Sequence, residues 1–105
     1  MEQAPGVINN SRDHFEFAFN QTFDTGTKQD AVFDAVARPI IDGALEGFNG
    51  TIFAYGQTGS GKTHTVLGAA DDHGIVQRTL SVLMKWKAET ASLADAEVSL
   101  SMLEL

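Results

Sequence analysis

The sequence predicts an α/β domain in which strands and helices alternate along the chain. Two observations predict this class. Segments with the two-residue period of strands alternate with segments that carry a helical stripe of apolar residues, and a glycine-rich segment joins one strand-like run to a helix-like run. The chain has 105 residues, of which 43% are hydrophobic and 20% are charged. This length and composition suit one globular domain with a single core.

The first predicted strand covers residues 15–19. Phe15, Phe17 and Phe19 are separated by single intervening residues, and a period of two places all three on one face of a strand. We expect this face to be part of the core, because no basic residues interleave with the rings as they would on a nucleic-acid platform. Residues 1–13 are expected to form a flexible lead-in.

A long helix is predicted next. A turn at residues 24–26 precedes it, with Thr27 as the expected N-cap and Asp30 completing an imperfect capping box. Pro39 should kink or divide this helix, because proline removes a backbone donor, and Gly47 should end it. The helical stripe consists of Val32, Phe33, Val36, Ala37, Ile40, Ile41, Ala44 and Leu45.

The remaining elements complete the alternation. The β-prone run 51–55 lacks clean alternation, which suits a strand covered on both faces. A short helix is expected to start at residue 62 and fade by 68, and the polar run 68–74 is expected to be a loop. Residues 75–89 are predicted to form the second long helix and 98–102 the last strand.

Composition excludes several functions. The chain has no cysteine, so a disulfide scaffold, a thiolate zinc site and a cysteine nucleophile are absent. Seven basic residues face fourteen acidic ones, giving a net charge of -7. We therefore expect neither nucleic acid nor an acidic membrane surface as a partner. No run approaches the ~18 apolar residues of a membrane span, and the start of the chain has no secretory pattern, which favours a cytoplasmic location.

The segment from Gly56 to Thr63 matches the phosphate-binding pattern G-x-x-x-x-G-K-[ST] at every fixed position. Phosphate groups need several converging donors, and backbone N–H groups can supply them where side chains do not block the approach. Lys62 then places a cation on the β- and γ-phosphates, and Thr63 offers a hydroxyl to Mg²⁺. The predicted binding residues are Gly56, Gln57, Thr58, Gly59, Ser60, Gly61, Lys62, Thr63 and His64.

The alternative is a flexible glycine turn that binds nothing, which the context disfavours. The pattern functions when it follows a strand and opens a helix, and the runs 51–55 and 62–67 are predicted to supply both. For His64, contact with the nucleotide and an ordinary position in the first turn of a helix remain equally open. Tyr55 is expected to pack within the strand. Asp71, Asp72 and His73 are expected to form a solvated loop, since no distant partner completes a metal site.

The run from Asn49 to Thr65, NGTIFAYGQTGSGKTHT, resembles the nucleotide-loop region of the kinesin motor domain. The likeness extends to FAFNQTF at 17–23, to GIVQR at 74–78 and to the final run 98–105. Two residues depart from the family pattern: Asn20 stands where aspartate is usual, and Val66 stands where methionine is usual.

The resemblance implies that residues 14–105 are part of a kinesin-type P-loop NTPase, a three-layer α/β sandwich that is truncated here. It implies ATP and Mg²⁺ as cofactors, with Thr63 as the metal-binding residue, and microtubules (tubulin) as the partner of a complete motor on the cytoskeleton. The family's γ-phosphate-sensing segments and microtubule-contacting elements do not occur in the 105 residues. We therefore expect no catalytic residue here, weak ATP binding at most, and negligible hydrolysis by this chain alone.

Two other functions remain open at this stage. The chain could be a non-catalytic module that only binds nucleotide or that associates through unpaired strand edges. It could also belong to a different P-loop enzyme, such as a nucleotide kinase, although the run before the loop is kinesin-like. Paired carboxylates placed for acid–base catalysis are not apparent in the sequence.

Overall fold

The computed structural model describes residues 14–105, so the predicted lead-in at 1–13 lies outside the described residues. Helices dominate this part of the chain, and none of them is long and apolar enough to cross a membrane. In chain order the elements are α1 (Gln29–Val32), a π-helical turn (Phe33–Ala37), α2 (Arg38–Leu45), α3 (Lys62–Val66), β1 (Gly68–Ala69), β2 (Asp72–His73) and α4 (Ile75–Thr90).

The start of the first helix follows a turn, as predicted. Thr27 donates its N–H to the Asp24 carbonyl at 2.9 Å, which closes that turn. The helix begins at Gln29, with Lys28 as N-cap and no capping side-chain bond. The prediction that Thr27 is the N-cap is therefore wrong. The bond that closes the turn holds Thr27 one position too early to cap the helix.

The proline in the first helix alters its geometry without dividing it. Helices α1 and α2 are joined by the π-helical turn Phe33–Ala37, in which the Arg38 N–H donates to the Phe33 carbonyl. Pro39 follows directly and has no N–H for the carbonyl four residues earlier. The prediction that Pro39 divides the helix is therefore wrong, because the helix continues past it and the turn before the proline is a wider, π-helical turn.

The end of the first helix follows the prediction. Gly47 has φ +104°, a left-handed conformation that favours glycine. Its N–H donates to the Ala44 carbonyl at 3.0 Å, and the Phe48 N–H donates to the Gly43 carbonyl at 3.0 Å. These two bonds form a Schellman motif, which satisfies the last carbonyls of α2 and turns the chain away from the helix.

The core lies between the first helix and α4. Its buried apolar residues are Phe33, Ala37 and Ile41 from the first helix and Ile75 from the start of α4. The partly buried side chains packed against them are Leu45, Ile52, Val82 and Leu83. This small helical core includes Ile75, the first residue of α4. Only α3 and a short pair of strands separate the glycine-rich loop from α4, so the core lies close to the loop along the chain.

A two-stranded hairpin connects α3 to α4. β1 and β2 are antiparallel, with Gly68 opposite His73 and Ala69 opposite Asp72. Gly68 has φ +66°, and a Cβ there would lie 2.2 Å from the Asp72 carbonyl oxygen. The close approach of the two strands therefore requires glycine at residue 68. The polar run 68–74, which was expected to be a loop, is thus a short hairpin, because this close backbone approach allows its two ends to pair.

The three strands predicted at 15–19, 51–55 and 98–102 do not form ladders in the described part of the chain. Phe53 is 83% exposed and Tyr55 is 95% exposed. The expectations that this run is covered on both faces and that Tyr55 packs within it are therefore wrong. A strand exists only with a hydrogen-bonded neighbour, and residues 14–105 bring no such neighbour to these three runs.

The phenylalanines at the start of the described chain are also exposed. Phe17 is 73% exposed, and Phe15 and Phe19 are exposed as well. Their rings stack in a row, with centroids 6.5 Å apart for Phe15 and Phe17 and 6.2 Å apart for Phe17 and Phe19. The alternation thus places the rings together as expected, but the prediction that they belong to the core is wrong, because no element packs on them within residues 14–105.

Candidate functional site

The glycine-rich loop between residue 55 and α3 takes left-handed backbone conformations at two of its glycines. Gly59 has φ +79° and Gly61 has φ +101°, both in the left-handed region that side chains disfavour. Gly56 has another role, because a Cβ there would lie 2.5 Å from the Ser60 Oγ. The loop therefore folds back closely on itself, and the backbone conformation favours glycine at residues 59 and 61.

The lysine of the loop reaches back across it. Lys62 Nζ donates a hydrogen bond to the Gly56 carbonyl, which joins the two ends of the loop. The Ser60 N–H donates to the Gln57 carbonyl at 3.1 Å and closes the turn between them. A lysine ammonium carries three donors, so the bond to Gly56 leaves further donors for an anion above the loop.

Helix α3 starts directly after the loop. Its N-cap is Gly61, and the Thr65 N–H donates to the Gly61 carbonyl at 3.0 Å. The backbone N–H groups that precede Thr65 in this first turn have no helical acceptor. Thr63 and His64 lie on this turn with exposed side chains. The N–H groups of this first turn are therefore available to oxygen acceptors.

A concave surface of about 420 Å³ lies over the loop, within the size range of ligand-binding cavities. It is lined by Thr58, Gly59, Gly61, Lys62, Thr63 and His64. Gly56 and Ser60 line a second, more apolar cavity of about 450 Å³, to which Gly61 and Lys62 also contribute. Gln57 is exposed. The structure thus brings six of the nine predicted binding residues to one concavity.

The charges at this concavity suit an anion. The nine predicted residues include Lys62 and no carboxylate, in a chain whose net charge is -7. The nearest acidic contact of His64 is Asp72, with 4.0 Å between Nε2 and Oδ2, and both side chains are exposed. An exposed pair at this distance contributes little. The lysine is therefore the dominant local charge.

Residues 14–105 contain no group of three His, Asp or Glu side chains placed to hold a metal ion. Mg²⁺ that is bound together with a nucleotide commonly takes one or two protein oxygens as ligands, along with phosphate oxygens and water. The exposed hydroxyl of Thr63, one residue after the lysine, is of the required chemical type.

Gln29 contacts the helix that follows the glycine-rich loop, a contact that the sequence pattern did not predict. Gln29 is 7% exposed, and its Nε2 donates to the His64 carbonyl at 2.5 Å. The contact joins the first turn of α1 to the helix that follows the glycine-rich loop, 35 residues later. The available signal was an amide side chain four residues before Phe33, in line with the apolar face of a helix.

Comparison with known proteins identifies the family. A model of the kinesin motor domain matches residues 2–105. Kinesin-like protein KIF19 of Mus musculus is 42% identical over 89 residues, which are 85% of this chain and 9% of the relative. Kinesin-like protein 5 of Schizosaccharomyces pombe is 42% identical over 89 residues, 85% of this chain and 10% of the relative.

A further relative covers the whole chain. Kinesin-like protein KIF19 of Xenopus laevis is 38% identical over 107 aligned positions, which are 100% of this chain and 11% of the relative. The chain thus spans between 9% and 11% of the length of these relatives. Family membership implies a P-loop NTPase fold, and the described residues contain helices and a two-stranded sheet. The chain belongs to the kinesin motor domain family.

Proposed function

We propose that residues 14–105 form the nucleotide-binding part of a kinesin-type motor domain and that the loop 56–61 binds the phosphates of Mg·ATP. The observation that carries this proposal is the geometry of the loop. Two left-handed glycines, Gly59 and Gly61, turn the backbone beneath a concavity that is also lined by Lys62. The hydrogen bond from Lys62 to the Gly56 carbonyl keeps the ammonium at the loop, which supports the proposal.

Each polar group has a role in this proposal. The loop amides donate to phosphate oxygens, and the ammonium of Lys62 lies against the β- and γ-phosphates. The hydroxyl of Thr63 is a ligand for Mg²⁺, which neutralises phosphate charge when it is bound. His64 also lines the concavity, next to Thr63, which supports its inclusion among the binding residues. We assign no catalytic residue within this chain.

The motor function belongs to a longer protein. The relatives are named as kinesin-like proteins, and the chain corresponds to about a tenth of their length. We propose that in such a protein this segment supports ATP hydrolysis coupled to movement along microtubules, on the cytoskeleton of the cytoplasm. By itself the chain should bind ATP weakly and hydrolyse it negligibly. The family match favours this function over that of another P-loop enzyme such as a nucleotide kinase.

The binding proposal can be tested by titrating the isotopically labelled chain with Mg·ATP to millimolar concentrations while its amide NMR signals are recorded. This method detects weak binding. We expect the largest shifts at Gly59, Gly61 and Thr63. Lys62→Ala should weaken binding by about tenfold or more, because it removes a charge-assisted hydrogen bond.

The matched control is Lys85→Ala, which removes the same charge from an exposed position on α4. Lys85 lies 3.9 Å from Glu89, and both side chains are exposed, so its loss should leave binding unchanged. If Lys62→Ala and Lys85→Ala weaken Mg·ATP binding equally, Lys62 acts only through the net charge of the chain and not through a contact with the phosphates. Saturating shifts that avoid the loop altogether would contradict the proposal.

A second candidate function is association through unpaired backbone. It is favoured by the exposed row of stacked rings at Phe15, Phe17 and Phe19. Unpaired extended segments with apolar side chains promote pairing between chains. Light scattering tests this function: the chain should associate as its concentration rises, and Phe17→Glu should reduce association more than Thr22→Glu, an equal charge change at an exposed residue. A monodisperse monomer at every concentration would exclude it.

A further inference from the structure

The far end of the loop helix α3 is held from two sides. On one side, the buried amide of Gln29 donates from α1 to the His64 carbonyl at 2.5 Å. On the other side, the Gly74 N–H donates to the Leu67 carbonyl at 3.1 Å, just before α4 begins. The only polar residue among the buried side chains of residues 14–105 is thus used on this short helix.

The hydrogen bond from the Gln29 amide to the His64 carbonyl replaces a helical hydrogen bond that α3 cannot make. In a longer helix, the His64 carbonyl would accept the N–H of Gly68. Here α3 ends at Val66 and the chain turns into the hairpin at Gly68, where φ is +66°. The His64 carbonyl, which the buried Gln29 side chain contacts, needs a hydrogen-bond donor, and the Gln29 amide supplies it.

The backbone at Gly74 lies close to the backbone at the end of α3. A Cβ at this position would lie 2.6 Å from the Val66 carbonyl oxygen, 2.7 Å from the Thr65 carbonyl oxygen and 2.7 Å from the Leu67 carbonyl carbon. The start of α4 therefore lies directly against the end of α3. Together, Gln29 and Gly74 fix the axis of a five-residue helix that has few hydrogen bonds of its own.

From this geometry we propose that Gln29 is a positioning residue for the nucleotide site. It does not reach the concavity, but it holds the carbonyl of the residue next to Thr63. Because Lys62, Thr63 and His64 lie on one turn, a shift of His64 moves the ammonium and the hydroxyl together. Small displacements of positioned groups reduce binding and catalysis disproportionately. This inference rests on the proposed binding of Mg·ATP by the loop.

The test compares Gln29→Met with the unchanged chain. Methionine keeps the length of the side chain and removes the donor. We expect Mg·ATP affinity in the NMR titration to fall about tenfold, in keeping with loss of a donor to a buried carbonyl. The amides of Thr65 and Leu67 should exchange with solvent faster, and the carbonyl carbon signal of His64 should shift because its hydrogen bond is lost.

Two controls separate positioning from general stability. Gln21→Met makes the same chemical change at an exposed residue and should alter neither readout. Ile41→Val removes one methylene from the core and should lower the unfolding midpoint without weakening Mg·ATP binding. Equal affinity loss in Ile41→Val and Gln29→Met would overturn the positioning role, as would unchanged affinity in Gln29→Met. If the unchanged chain shows no binding at all, the proposed function fails and the positioning role fails with it.

Discussion

The helical part of the molecule and its three strand-like runs are both rich in apolar residues, but the two regions differ in how these residues are buried. In the first helix and α4, Phe33, Ala37, Ile41 and Ile75 come together in one core. In the runs 15–19, 51–55 and 98–102, most large apolar side chains are exposed. Helices form their backbone bonds within themselves, whereas strands need hydrogen-bonded partners. The helices can therefore form without a neighbouring strand and then pack against each other.

The candidate site lies on the boundary between these two regions. Before the loop, Phe53 and Tyr55 are exposed and the backbone forms no ladder. After the loop, α3 is joined to α1 by Gln29 and to the start of α4 by Gly74. The loop is therefore anchored at its helical end. This asymmetry accounts for the expectation of weak binding, because ordering the other end would cost conformational entropy when a nucleotide binds.

The largest expected effect tests whether stability resides in the helical region. Ile41→Ala should lower the free energy of unfolding by about 2–5 kcal/mol, because it opens a cavity in the small core. Leu103→Ala removes similar atoms from a side chain that is 87% exposed and should change it by less than about 0.5 kcal/mol. Urea unfolding followed by circular dichroism measures both. Similar losses in the two variants would erase the distinction between the regions.

A smaller effect tests the contact between α3 and α4. Gly74→Ala should destabilise the fold by about 1–3 kcal/mol, because the new Cβ meets backbone atoms that cannot move independently. The matched control is Gly43→Ala, where a Cβ meets nothing within 4 Å inside α2. That control should gain about 0.5–1 kcal/mol from reduced chain entropy. If Gly74→Ala is as stable as the unchanged chain, α3 is not fixed against α4 as the structure indicates.

Local signals were sufficient for several elements. Three sequence predictions agree with the structure to within a residue. They are the end of the first helix at Gly47, the start of α3 at Lys62 and the extent of α4 from Ile75 to Thr90. Each depends on residues near one another in the chain: a left-handed glycine, a glycine-rich loop or a continuous helical stripe. These are features that propensity and periodicity describe directly.

Features that depend on distant residues could not be predicted in this way. The period of the phenylalanines at 15–19 correctly places the rings on one side, but only a neighbouring strand could bury them. The contact between Gln29 and His64 spans 35 positions, and the local pattern indicates only that Gln29 lies in line with the apolar face of the helix. The loop motif predicted a backbone that side chains leave open to phosphate, but not which glycines would take a positive φ. The link between Lys62 and the Gly56 carbonyl required the folded loop.

The π-helical turn has a consequence for how the first helix meets its neighbours. The buried residues Gln29, Phe33, Ala37 and Ile41 are each four positions apart. In a regular α-helix such a row rotates about 40° around the axis at every step, so its ends would face different directions. The wider turn at Phe33–Ala37 takes up part of that rotation. One helix can thereby direct an amide toward α3 at its beginning and isoleucine toward the α4 side of the core further along.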